Sequence, residues 1–325
     1  MKIISFFSIL LGLGNIAFAQ QEAQYSQYMF NLLAVNPAYA GYKETLNVSI
    51  LNRNQWTGQP GAPKTQSVVA DAALGKTKKV GLGLLFLNDK IGLQSQTSAF
   101  LNYAYRLPVG ANEERLSFGL AFGLSQYFLN GKDAVVDDIS DEQLTNNLTY
   151  FTPSARFGIH YSSDEFYAGF SIVNLLGRYI NYQGTVNGTV SRLGSHYFFN
   201  AGYLLDVNES IKFKPSLLIK EDYRSPTSID VNFSFLFNEK IWLGASYRSN
   251  ISLWKKKGIE YRNFKLSSLV GMMELYAAKN LRIGYAYDYN LSSTIGSAVQ
   301  GSHEISIGYI FNSKSGSALQ SPRFF

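Results

Sequence analysis

The sequence predicts an all-β protein, a transmembrane antiparallel β-barrel of about fourteen strands. Three observations carry this. From residue 45 onward, large apolar residues alternate with small or polar ones over segments of roughly ten residues. The second face is Gly, Ser, Ala and Asn with isolated charges, not the Lys and Glu that cover a soluble sandwich. The bulky face therefore meets lipid, and the small face lines a crowded polar lumen. Finally, no apolar run after residue 20 is long enough for a spanning helix. In lipid, only a closed sheet then satisfies every backbone group.

The chain opens with "MKIISFFSILLGLGNIAFA", where Lys2, an apolar run from Ile3 to Leu13, and small Ala17 and Ala19 make a secretory signal peptide cleaved after Ala19. The run is shorter than the roughly 20 residues of a membrane anchor. Residues 20–44 form a segment ahead of the first strand, 45–312 the barrel, and 313–325 a periplasmic tail with Phe325 at its end. The absence of cysteine excludes an acylated lipoprotein, a disulfide and a thiolate metal site. Within the leading segment, "QYSQYMFNLLAVNPAYAGY" is rich in Tyr and Asn, whose apolar or planar bodies end in hydrogen-bonding groups and suit a polar lumen. Asn36-Pro37 favours a turn, and Gly41 allows a bend into the first strand. A disordered leader is the alternative.

The alternation places strands at 45–53, 64–74, 80–88, 97–107, 115–128, 150–161, 164–173, 196–207, 210–220, 226–237, 240–250, 263–276, 280–290 and 302–312. In the fifth, Leu116, Phe118, Leu120, Phe122 and Leu124 share a face; in the tenth, Ile229, Val231, Phe233, Phe235 and Phe237 oppose Asp230, Asn232 and Ser234. Tight connections such as Ser162-Ser163, Asn208-Glu209 and Asn238-Glu239 alternate with long ones at 131–149, 174–195 and 251–262. Short periplasmic turns and long outer loops have this asymmetry. Tyr103, Tyr105, Tyr127, Tyr161, Tyr247, Tyr289 and Tyr309 near strand ends fit interfacial aromatic girdles.

Chemistry is scarce. His160, His196 and His303 sit in different strands without metal-ligand spacing, so neither a metal nor any other cofactor is expected. A Ser–His hydrolase site on the wall needs an alignment that spacing does not supply, and the chain is expected not to be an enzyme. The "GLG" at 81–83 and "GLAFG" at 119–123 lie inside strands, where inward glycines make room for something in the lumen or permit sharp curvature. Asp71, Arg106, Arg156, Asp230, Arg248, Arg282, Asp288 and Glu304 are expected to point inward. Their mixed signs favour salt bridges that brace the lumen over a single-sign selectivity ring. The net charge of +6 suits an anionic lipid surface, with "WKKKG" at 254–258 a candidate for lipopolysaccharide phosphates. No nucleic-acid motif is present.

"YSQYMFN" at 25–31, "NPAYAG" at 36–41, "RNQWTG" at 53–58 and "NDKIGLQSQTSAFLNYAYRL" at 88–107 closely resemble the PorP/SprF family of Bacteroidota outer-membrane proteins, associated with type IX secretion and gliding motility. The resemblance implies a FadL-like barrel with an N-terminal plug. On this chain the plug motif is Tyr25, Gln27, Tyr28, Phe30, Asn31, Asn36, Pro37, Ala38, Tyr39 and Gly41, and the early barrel motif is Arg53, Gln55, Trp56 and Gly58. It also implies a place in the cell outer membrane, amid lipid and lipopolysaccharide. The partners it implies are a secreted adhesin or other protein with a type IX C-terminal domain, and periplasmic or outer-membrane type IX components. A channel or FadL-like transporter of small or apolar solutes is the rival reading.

Overall fold

The computed structural model describes residues 23–110, 114–133, 146–177, 194–254, 256, 267–291 and 301–311. The expected signal peptide, the tail and most of the three long loops lie outside them. Strands β1 (Asn47–Asn54), β2 (Lys64–Leu74), β3 (Val80–Ile91), β4 (Gln94–Pro108) and β5 (Arg115–Leu129) follow one another around the wall. Next come β6 (Leu148–Ser162), β7 (Phe166–Val173), β8 (His196–Tyr203), β9 (Leu205–Asn208) and β10 (Ile211–Glu221). β11 (Thr227–Phe237), β12 (Ile241–Ile251), β13 (Ser267–Tyr276), β14 (Leu281–Asn290) and β15 (Ser302–Ile310) complete the wall.

All pairings are antiparallel, and β1 pairs with both β2 and β15, so the sheet closes. The fifteen segments occupy fourteen wall positions, because β8 and β9 lie end to end along β10. The eighth expected strand is thus interrupted at Leu204, whose N–H donates to the Glu165 carbonyl (2.7 Å). Pro215 of β10, which brings no N–H to the ladder, lies just beyond the last β8–β10 pair, Gly202 with Ser216.

Strand ends shift where local chemistry overrides alternation. β3 and β4 run further than expected, to a two-residue turn at Gly92 and Leu93, because polar pairs such as Asn88 with Thr97 (2.8 Å) continue the ladder. β7 starts two residues later because Ser163 and Phe166 close a turn, the Phe166 N–H donating to Ser163 Oγ (3.0 Å). One end of the barrel carries the connections after β1, β3, β5, β7, β10, β12 and β14, most of them long; the other carries the short turns.

The faces are inverted relative to a soluble protein. Phe122 and Leu101 point outward at 64% and 57% exposure, while Asp230, Asn232 and Glu304 are buried inside. Apolar outward faces of this extent are stable only against lipid. Of the seven girdle tyrosines, Tyr127 departs from expectation: it points inward and stacks on Tyr150 at 4.9 Å. The alternation of β5 puts it on the face of Ser117 and Ser125, so its register decides its side.

Candidate functional site

The lumen is occupied by residues 25–43, nearly all of them buried. The segment coils into three single-turn 3-10 helices, Tyr28–Phe30, Leu32–Ala34 and Pro37–Tyr39. Such turns satisfy backbone groups internally, for example Phe30 N–H to the Gln27 carbonyl (3.0 Å). Pro37 presets the third turn, and the Asn36 side chain caps it by accepting from the Ala38 N–H at 2.9 Å.

At the long-loop end, both oxygens of Glu304 receive backbone N–H groups, from Ser26 at 2.8 Å and Gln27 at 2.7 Å. Arg53 joins Glu304 (3.2 Å), Asp288 (3.0 Å) and Ser26 Oγ (2.6 Å). Arg248 bridges Asp230 (2.9 Å) and Asp288 (3.0 Å) and donates to the Tyr25 carbonyl, while Lys220 pairs with Asp230 at 3.0 Å. Such charges are tolerable away from water because each is paired and hydrogen-bonded.

Midway down, Asn232 donates to Tyr28 Oη (2.7 Å), Asn31 to Ser67 Oγ (3.2 Å) and Asn36 to the Ile159 carbonyl (3.0 Å). Arg156 donates to the Ala34 carbonyl at 2.9 Å and lies over the Phe100 ring. At the short-turn end the Gly41 N–H donates to Asp71 (2.9 Å), Arg282 reaches Glu274 (3.5 Å), and Glu44 pairs with Lys78, Arg106 and Arg115.

Inward glycines provide the clearance. A methyl added at Gly81 would collide with the Ala40 carbonyl, and one at Gly119 with the Pro37–Ala38 backbone. Gly123 is different, its crowding coming from Ala99 and Phe100 of the wall itself, so close approach and wall packing each account for some of these glycines.

All eight charges expected inside are buried there. Arg53 of the early motif anchors the network, a role its position in "RNQWTG" did not reveal. The remainder of that motif forms a turn: Trp56 and Gly58 adopt positive φ, the Gln55 N–H donates to the Pro63 carbonyl, and the Trp56 N–H donates to Ser302 Oγ. Lys43, Lys214, Lys220 and Glu274 were missed. Glu274 was legible, since it alternates with outward Met273 and Leu275.

The histidines are not brought together. His160 is packed among Tyr39, Tyr42 and Tyr167, and its Nε2 has no hydrogen-bond partner among the described residues. His196 lies 4.0 Å from Asp222, and His303 meets Tyr285 Oη. Lys256 of the "WKKKG" run is ion-paired with Glu221 at 2.5 Å.

Among solved structures, the CymD monoaromatic hydrocarbon channel matches with a TM-score of 0.55 at 9% identity, covering 88% of this chain and 93% of that one. A Pseudomonas aeruginosa FadL homologue matches with a TM-score of 0.46 at 10% identity, covering 87% and 94%. Acinetobacter baumannii Omp33 gives 0.46 at 8% identity, covering 82% and 98%. At 9% identity the likeness to CymD is one of fold alone, a closed β-barrel. No curated protein sequence matches the chain. A family model described as type IX secretion system membrane protein PorP/SprF matches residues 17–309, nearly the whole chain, and the protein belongs to this family.

Proposed function

We propose that this barrel serves type IX secretion by binding: it helps export or anchor a secreted surface protein bearing a type IX C-terminal domain, with the N-terminal segment as a plug. The observation that carries this reading is the filled lumen. Residues 25–43 are tied by hydrogen bonds at the long-loop end, the middle and the short-turn end, which leaves recognition to the rim and the long loops. Family membership supports the secretion context.

The rival reading is passage of apolar solutes, by analogy with hydrocarbon channels of similar fold. It is disfavoured by a wall whose inward side chains include Asn102, Asn200, Asn232, Asp230 and Arg248, which offer apolar solutes no continuous greasy path. Affinity purification from outer membranes followed by mass spectrometry tests the proposal. Recovery of a type IX substrate or secretion component is expected; recovery of neither sinks it. Single-channel recording addresses the plug: the intact protein is expected to stay closed and a 20–44 deletion to conduct.

A further inference from the structure

We infer that the short-turn end of the lumen holds a binding site for one small inorganic anion, formed by Lys43, Lys214 and Arg282. The two ends of the lumen differ in charge balance. At the long-loop end Arg53, Lys220 and Arg248 face Asp230, Asp288 and Glu304, and every member has an ion-pair partner. At the short-turn end, apart from the Lys212–Asp206 pair, the cations Lys43, Lys78, Arg106, Arg115, Lys214 and Arg282 outnumber the carboxylates Glu44, Asp71 and Glu274 they share.

Those carboxylates are already engaged. Glu44 takes Lys78, Arg106 and Arg115. Asp71 accepts from the Gly41 N–H and from Asn47. Glu274 touches Arg282 at 3.5 Å. Lys43 is 1% exposed and its Nζ makes no hydrogen bond among the described residues, although Arg282, Glu274, Asp71 and Lys214 all lie within electrostatic reach. Lys214, also buried, lies 5.2 Å over Trp242 and 5.8 Å over Phe30. Arg282 also donates to Asn47 Oδ1 at 3.3 Å and keeps an Nε without a partner among the described residues.

Ring faces offset a buried ammonium only in part, and an uncompensated buried charge is strongly unfavourable. Loss of a proton from Lys43 would relieve its charge but leave its amine hydrogens without acceptors. An anion of chloride or phosphate size offsets the surplus charge and accepts from these donors together. Bound there, it cross-links the foot of the N-terminal segment to β10 and β14.

Bromide is the probe. Crystals of the detergent-solubilised protein grown in sodium bromide are expected to show an anomalous peak in contact with Lys43 Nζ, lost in Lys43→Met. The thermal midpoint of the wild type is expected to rise in bromide relative to gluconate at equal ionic strength, and that of Lys43→Met to stay put. Lys214→Met is the second variant, in case Lys43→Met assembles poorly. Absence of bromide at this position overturns the proposal, as does a midpoint shift equal in wild type and variant.

Discussion

Replacing Glu304 by Gln removes one negative charge from the side chain that accepts both the Ser26 and Gln27 N–H groups. Shape is conserved, but an amide offers one acceptor where the carboxylate offers two, so one backbone N–H meets an NH2 group. Hydrogen bonds to charged groups contribute about 1.5–3 kcal/mol each. Arg53 keeps Asp288, so it is not stranded. A net loss of about 3 kcal/mol for the segment follows, which raises its local opening roughly a hundredfold at about 1.4 kcal/mol per tenfold. The chain has no cysteine, so Met29→Cys places a single thiol at a position 1% exposed. Maleimide labelling of that thiol in lipid vesicles measures opening directly, with heat-modifiable mobility reporting an intact barrel. The expected result is labelling faster by about two orders of magnitude in Glu304→Gln. A rate within about threefold of the parent, in a barrel that remains intact, would refute the reasoning that Glu304 holds the segment.

Three further outcomes are expected. Gly81→Val should displace the segment around Ala40 and accelerate labelling of the same thiol, since the clash is with backbone; unchanged labelling would contradict the close approach. Phe122→Arg, on the outward face at the centre of β5, should destabilise the barrel by about 2–4 kcal/mol in urea unfolding from vesicles, with no such loss expected if that face met solvent. In the loop after β10, burial pushes the Asp222 carboxyl up, but hydrogen bonds from the Ser225 N–H, the Ser225 hydroxyl and the Arg224 N–H outweigh it and hold it below the ordinary carboxylate range. A depressed folded value stabilises the loop above the ordinary carboxylate range and loses that contribution as pH falls through the folded value. Emission from Trp254, stacked on Tyr223 beside this loop, should therefore change only in strong acid, and a transition near neutrality would contradict the assignment.

Period-two alternation is a local property, because each residue in a strand faces opposite its neighbour whatever the rest of the chain does. For that reason the barrel, its inverted faces and eight of its inward charges were legible in the order of residues. Tyr127 was misplaced where aromatic character outweighed strict counting, and the ends of β3, β4 and β7 moved where polar cross-strand pairs and a Ser163 turn prevailed. The family motifs were readable too, though not what their residues touch. That Arg53 meets Asp288 across 235 positions, or that Gly81 clears Ala40, depends on closure between β1 and β15 and on the segment's path through the ring. The unequal charge balance of the two lumen ends depends on the same closure. Register and closure join residues remote in sequence, and electrostatic and steric energies depend on those distances in space; no local pattern encodes them.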